Sequence, residues 1–186
     1  MKHSVYLGVG SNIDPQRHIV IGLEEISRSF RITAVSSIYQ SDAVGFEGAP
    51  FLNLVVAIET DADLPGLVSQ LREIEFRYGR TEASDKYSSR HLDIDLLTYD
   101  DRFGEHGGIR LPRGEITVNA FVLCPFAEIA GNRVIPGQEK TLGKLWQDYD
   151  RTGQPLERVP FSWRNRSLPI QPVPQPSFTG SAARIL

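Results

Sequence analysis

The sequence predicts an α+β fold, an antiparallel sheet with helices packed on one face and an extra helical region towards the C-terminus. Three observations predict it. Apolar residues alternate with period two in four segments and recur every three or four residues in two others. These segments follow one another as strand, helix, strand, strand, helix, strand, a chain order that suits one layer of sheet and one of helices. Hydrophobic residues make up 40% of the 186, enough to bury a single substantial core.

Val5, Leu7 and Val9 alternate with Ser4, Tyr6 and Gly8 in the first strand, which ends in Gly10, Ser11 and Asn12. Pro15 then opens a helix whose stripe is Ile19, Leu23, Ile26 and Phe30. A second strand is predicted over Ile32 to Tyr39, and a long loop over Gln40 to Pro50, punctuated by Gly45, Gly48 and Pro50. Leu54, Val56 and Ile58 mark a third strand; Leu64, Leu67, Leu71, Ile74 and Tyr78 mark a second helix. Gly79 to Ser89 is polar and without period, and it delivers the chain to a fourth strand over Leu92 to Tyr99. This order is the ferredoxin-like, split βαβ arrangement. Further helices are predicted over Asn119 to Ala130, interrupted at Pro125, and over Thr141 to Tyr149 with Thr141 as cap. Six of the 12 prolines fall between Pro155 and Pro176. The chain therefore divides into a folded unit over 1–149 and a proline-rich tail over 150–186, extended or partly disordered, part of which Trp163 could pin.

Composition excludes some classes of function. The net charge is only −3, from 20 basic and 23 acidic residues, so no overall basic footprint points to nucleic acid. The single cysteine, Cys124, lies in the apolar run Phe121 to Cys124, as a buried structural thiol would. No secretion signal or membrane span is read near Met1, so a cytoplasmic protein is expected, with a monomer favoured.

The most informative segment is Arg90, His91, Leu92, Asp93, Ile94, Asp95, Leu96, Leu97. In a strand Asp93 and Asp95 project from one face, with Cα atoms roughly 6.6 Å apart, while Leu92, Ile94 and Leu96 line the other. Two carboxylates so close need a cation, and two Mg²⁺ ions about 3.5 to 4 Å apart would suit them. A solvated outer face is the alternative, and spacing alone does not separate the two. Arg80, Lys86 and Arg90 border the loop upstream; guanidinium forks beside an acidic pair are the two halves of a triphosphate site. The Gly8 to Asn12 segment lacks the lysine of a P-loop, so its glycines are read as room for close approach.

Tyr6 to Asn12, Val35 to Glu59 with Phe51, Leu52 and Asn53, Ile74 to Tyr99 with Gly79, Arg80 and the Arg90 to Asp95 block, and Leu111 to Pro136 occur in order with compatible spacing. Together, over about residues 4 to 149, they resemble the 6-hydroxymethyl-7,8-dihydropterin pyrophosphokinase family of folate biosynthesis. The resemblance implies transfer of pyrophosphate from ATP to the pterin hydroxymethyl group, releasing AMP, with two Mg²⁺ ions on Asp93 and Asp95. It places Arg80 and Arg90 on the phosphates and Asn53 on the pterin edge, with Phe51 and Phe121 sandwiching the ring. Ser41 and Val44 would line the pterin pocket; Glu75, Lys86 and Tyr87 would bind nucleotide, with Arg110 and Arg113 as further cations.

Some positions depart from the family pattern. Arg113 follows Pro112 where a histidine is usual, Asn119 and Glu82 stand where arginines are usual, and Ser88–Ser89 replaces a Gly–Pro pair. A divergent paralogue, acting on another pterin or binding pterin and nucleotide without efficient turnover, therefore stands as a second reading. A ferredoxin-like regulatory or binding module is a third.

Overall fold

The computed structural model describes residues 2–78 and 89–171. Strand β1 (His3–Ser11) leads into helix α1 (Pro15–Ser29). Pro15 suits the first helical turn because that position needs no N–H donor and its φ is already set. The second predicted strand is two: β2 (Arg31–Val35) and β3 (Ile38–Ser41). Between them Ser36 Oγ accepts the Val55 N–H at 2.9 Å, and Ser37 donates its N–H and hydroxyl to the Glu128 carboxylate at 2.6 and 2.8 Å. Side chains thus satisfy the buried polar groups where the ladder breaks.

Strand β4 (Phe51–Thr60), helix α2 (Leu64–Arg77) and strand β5 (Asp93–Tyr99) follow. Asp63 caps α2 by accepting the Gly66 N–H at 3.0 Å. The sheet runs β5, β1, β4, β3, with β2 also on β4, and every pairing is antiparallel. A hairpin of β6 (Gly104–His106) and β7 (Ile109–Leu111) leads through a 3₁₀ turn (Gly114–Thr117) to α3 (Ala120–Ala130) and α4 (Leu142–Asp148). Thr141 caps α4 as predicted, accepting Lys144 N–H at 3.2 Å. Pro125 does not interrupt α3, contrary to expectation. Burial of Leu123, Phe126 and Ile129 on either side of it offsets the hydrogen bond that the proline removes.

The expectation of helices on one face needs correction. Val5, Leu7, Leu54, Val56, Ile94 and Leu96 pack with the stripes of α1 and α2 in one core. On the opposite face Ala34, Val55, Ala57 and Leu97 pack with Leu123, Phe126 and Ile129 of α3 and Leu142 of α4 in a second. Those two helices cover only part of that face. A bulge in β5 helps set the boundary: Tyr6 pairs with Thr98 but Leu7 with Leu96. Leu97 is the extra residue, so it shares the face of Asp93 and Asp95 while Tyr99 returns to the first core.

Residues 150–171 do not trail away as predicted. Strand β8 (Glu157–Val159) pairs with β3, and β9 (Ser162–Trp163) forms a hairpin with β10 (Arg166–Ser167). Val35 and Ile170 exchange backbone hydrogen bonds at 2.7 and 2.8 Å. Trp163 does anchor the segment: it is buried and donates Nε1–H to Glu24 at 2.7 Å. The remainder of the predicted tail, 172–186, lies outside the described residues. Among the described residues no helix is long and apolar enough to cross a membrane.

Candidate active site

On the uncovered half of the second face, Asp93 lies opposite Gly10 and Asp95 opposite Gly8. Two glycines in β1 thus leave a floor without side chains beside two carboxylates. The next strand over contributes Asn53, cross-strand partner of Gly10. A Cβ on Gly10 would stand 3.1 Å from Asn53 Oδ1, so the glycine makes room for that amide. A cavity of ≈ 840 Å³ rises from this floor, walled by the loop after β3, the 3₁₀ turn and the start of α3.

Ser41, Val44, Phe51, Asn53, Arg90, Asp93, Asp95, Arg113 and Phe121, all predicted from sequence, line this one cavity. Asn53 Nδ2 donates to Ser41 Oγ at 3.0 Å, which orients an amide that has a second N–H and a carbonyl to offer. Phe51 packs edge-on against Phe46, ring centres 6.2 Å apart. Two other predicted residues are placed elsewhere. Glu75 is buried at the back of the floor, accepting the backbone N–H of Ile94 at 2.9 Å. Arg110 is exposed on β7 opposite Glu105. Arg80, Lys86 and Tyr87, with Glu82 and Ser88, lie outside the described residues.

Each carboxylate has an arginine. Arg90 Nη1 donates to Asp93 Oδ1 at 2.7 Å, and Arg113 Nη2 lies 3.0 Å from Asp95 Oδ1. Arg113 Nε also approaches Glu115 at 3.3 Å, without the alignment of a hydrogen bond. Both arginines are held by their backbones. The carbonyl of the bulge residue Leu97 accepts Arg113 N–H at 2.9 Å. Arg90 N–H donates to Asn12 Oδ1 at 2.7 Å, and the Arg90 carbonyl accepts the Asn12 N–H at 3.0 Å. Asn12 Nδ2 reaches on to the Ala49 carbonyl at 3.1 Å and Ser89 Oγ at 3.2 Å. Asn12 therefore staples two site loops to the end of β1. That role was missed in the sequence, where Gly–Ser–Asn after a strand was its only signal; Phe46 and Val118 were missed as cavity residues too.

Surrounding protein pushes the Asp95 carboxyl up to about 6, with the neighbouring Asp93 charge adding to the shift and Arg113 opposing it. Its side chain is still 37% exposed, towards the cavity. Such a group favours an added positive charge. Carboxylate oxygens are the donors Mg²⁺ prefers, and among the described residues no cluster of three or more His, Cys, Asp or Glu could hold a metal alone. A cation on Asp93 and Asp95 would therefore complete its shell with water and substrate oxygens, as Mg²⁺ commonly does. Burial pushes the Cys124 thiol up to about 11, in keeping with a structural cysteine.

Residues 6–131, a span that includes the acidic strand and Asn53, match the family model for 7,8-dihydro-6-hydroxymethylpterin-pyrophosphokinase (HPPK). The chain belongs to the HPPK family. A Synechocystis relative named 2-amino-4-hydroxy-6-hydroxymethyldihydropteridine pyrophosphokinase is 32% identical over 153 residues, 81% of this chain and 78% of its own. A Methylorubrum extorquens protein of the same name is 34% identical over 160 residues, 83% of this chain and 97% of its own. In structure, Plasmodium falciparum HPPK-DHPS, a triple mutant with pteroate, superposes with a TM-score of 0.67 at 11% identity. That match covers 91% of this chain and 48% of the other. The HPPK fold is therefore shared, while the present chain spans about half the length of that larger protein.

Proposed function

We propose that the chain transfers the terminal pyrophosphoryl group of ATP to the hydroxymethyl oxygen of 6-hydroxymethyl-7,8-dihydropterin, releasing AMP, as a step of folate biosynthesis. The observation that carries this is one cavity that joins the Asp93–Asp95 pair and its two arginines to the Asn53 amide and the Phe51 and Phe121 rings. A flat heteroaromatic ring fits between aromatic faces while Asn53, oriented by Ser41, reads its edge. Val44 closes the same wall. Arg90 and Arg113 then turn from carboxylate to phosphate oxygens; Arg80, Lys86 and Tyr87 are assigned to the nucleotide by family resemblance alone. Asp93 and Asp95 would hold Mg²⁺, two ions by family resemblance, and the bound cation would neutralise the polyphosphate. The protein's own part is to align the hydroxymethyl oxygen with the β-phosphorus and to exclude water.

The sheet order and the two helices on one face support reading residues 1–149 as a ferredoxin-like pyrophosphokinase unit, with 150–186 as an accessory proline-rich segment. The lone buried thiol supports a cytoplasmic setting, and small-molecule substrates suffice without nucleic acid, membrane or a second copy of the chain. Glu75 and Arg110 are better assigned to supporting the strand and the surface than to nucleotide contact.

Incubation with ATP, Mg²⁺ and the hydroxymethyl dihydropterin should release AMP in step with pterin consumed. Asp95→Ala should lower that rate about 10²-fold or more. Wild-type protein that binds pterin but makes no AMP above the Asp95→Ala control would overturn the reaction and leave a pterin-binding paralogue.

A further inference from the structure

Helix α3 begins at the cavity wall, and its first turn is finished by residues beyond the family-matched span. Asn119, at the N-cap, makes no side-chain cap bond, although asparagine is among the best residues for that purpose. Gln154 takes the task over: its Oε1 accepts the Ala120 N–H at 2.8 Å. Its Nε2 donates to the Val118 carbonyl at 3.2 Å, and Tyr149 Oη donates to the same carbonyl at 2.6 Å. The amides of a first helical turn have no partner within the helix, so an external acceptor fixes where that turn sits. Val118, Asn119 and Phe121 all line the cavity. The main chain between Val118 and Ala120 is thus gripped from outside at both ends, while the Asn119 side chain is spared from capping.

We infer that Gln154, assisted by Tyr149, is a positioning residue for the substrate cavity: it fixes the α3 start so that Phe121 presents its ring and Asn119 its amide to the pterin side. The inference rests on the pterin assignment above. It also gives residues 149–154 a part in specificity although they lie outside the 6–131 family match. A loosened first turn would let Asn119 swing back to cap its own helix and would displace the Phe121 ring. Nucleotide contacts on Arg90 and the acidic strand would be spared.

Gln154→Ala, Gln154→Glu and Tyr149→Phe, made in the full chain, test this. Gln154→Ala should raise KM and Kd for the pterin about fivefold while KM for ATP stays within about twofold. Gln154→Glu retains an acceptor for Ala120 N–H and should return pterin binding to within about twofold of wild type. Tyr149→Phe, with the cap intact, should lie between. Amide hydrogen exchange at Ala120 should speed up in Gln154→Ala and not in Gln154→Glu, whether or not substrate is present. Equal weakening of pterin and ATP, unchanged pterin binding in Gln154→Ala, or failure of Gln154→Glu to restore it each overturns the inference. Wild-type protein that does not bind pterin overturns the proposed function instead.

Discussion

Asp95 illustrates what a single residue gives up for its position. Its folded pKa of about 6 exceeds the ordinary 3.8, so folding disfavours the charged form. Well below pH 3.8 the group is neutral in both states and the penalty is absent; it grows as pH rises from about 4 towards 6 and is fully present above. Without divalent cation, Asp95→Asn should therefore melt at a higher temperature than wild type at pH 8, with the gap closing near pH 4. Added Mg²⁺ should raise the melting temperature of wild type at pH 8 and leave the variant little changed. Thermal scans at the two pH values check this; a less stable Asp95→Asn at pH 8 would contradict it. Strand parity placed both aspartates on one face from sequence alone. The pairing of Arg113 with Asp95 was not legible, because it depends on the bulge carbonyl of Leu97.

At the scale of elements, the acidic strand is the vulnerable one. Among the described residues β5 is an edge strand with only β1 beside it, and Glu75 of α2 meets the Ile94 N–H between the two aspartates. Glu75→Ala would leave that amide without its acceptor, at a cost of about 1–3 kcal/mol. Glu75→Gln, which keeps an acceptor, should lose less than half as much. Denaturant melts measure the stability, and calorimetric Mg²⁺ titration should show weaker binding in Glu75→Ala. Unchanged stability and Mg²⁺ affinity in that variant would refute the support role. Helix stripes and strand alternation were readable because each repeats along its own segment. The β2–β3 break was not, since its partner Glu128 arrives from α3, 91 residues away. Nor was the continuity of α3 through Pro125, which rests on burial on both sides of it.

Across the whole molecule, the C-terminal segment binds the fold together. It adds β8 to the sheet, pairs Ile170 with Val35 and inserts Trp163 beside α1. Glu24 receives Trp163 Nε1–H and a two-pronged contact from Arg164, at 2.9 and 2.6 Å. Those bonds draw the Glu24 carboxyl below its usual range. Trp163→Ala should cost about 3–5 kcal/mol and lower Tm by about 10 °C, while AMP release at low temperature persists because the cavity lies elsewhere. Melting and turnover on the same sample check this, and an unchanged Tm would count against it. Proline content alone made the segment look extended, since pairing to a distant strand leaves no local period.

The sequence by itself determined β1, α1, β4, α2 and β5, and the shared face of Asp93 and Asp95. Those follow from side-chain direction along a strand or helix, which covalent geometry sets residue by residue. Only the tertiary structure decided which half of the face stays open, that Glu75 supports the floor, and that Asn12 and Gln154 hold the walls. Such choices depend on how segments far apart in the chain compete to cover the same surface, and no local pattern encodes the outcome of that competition.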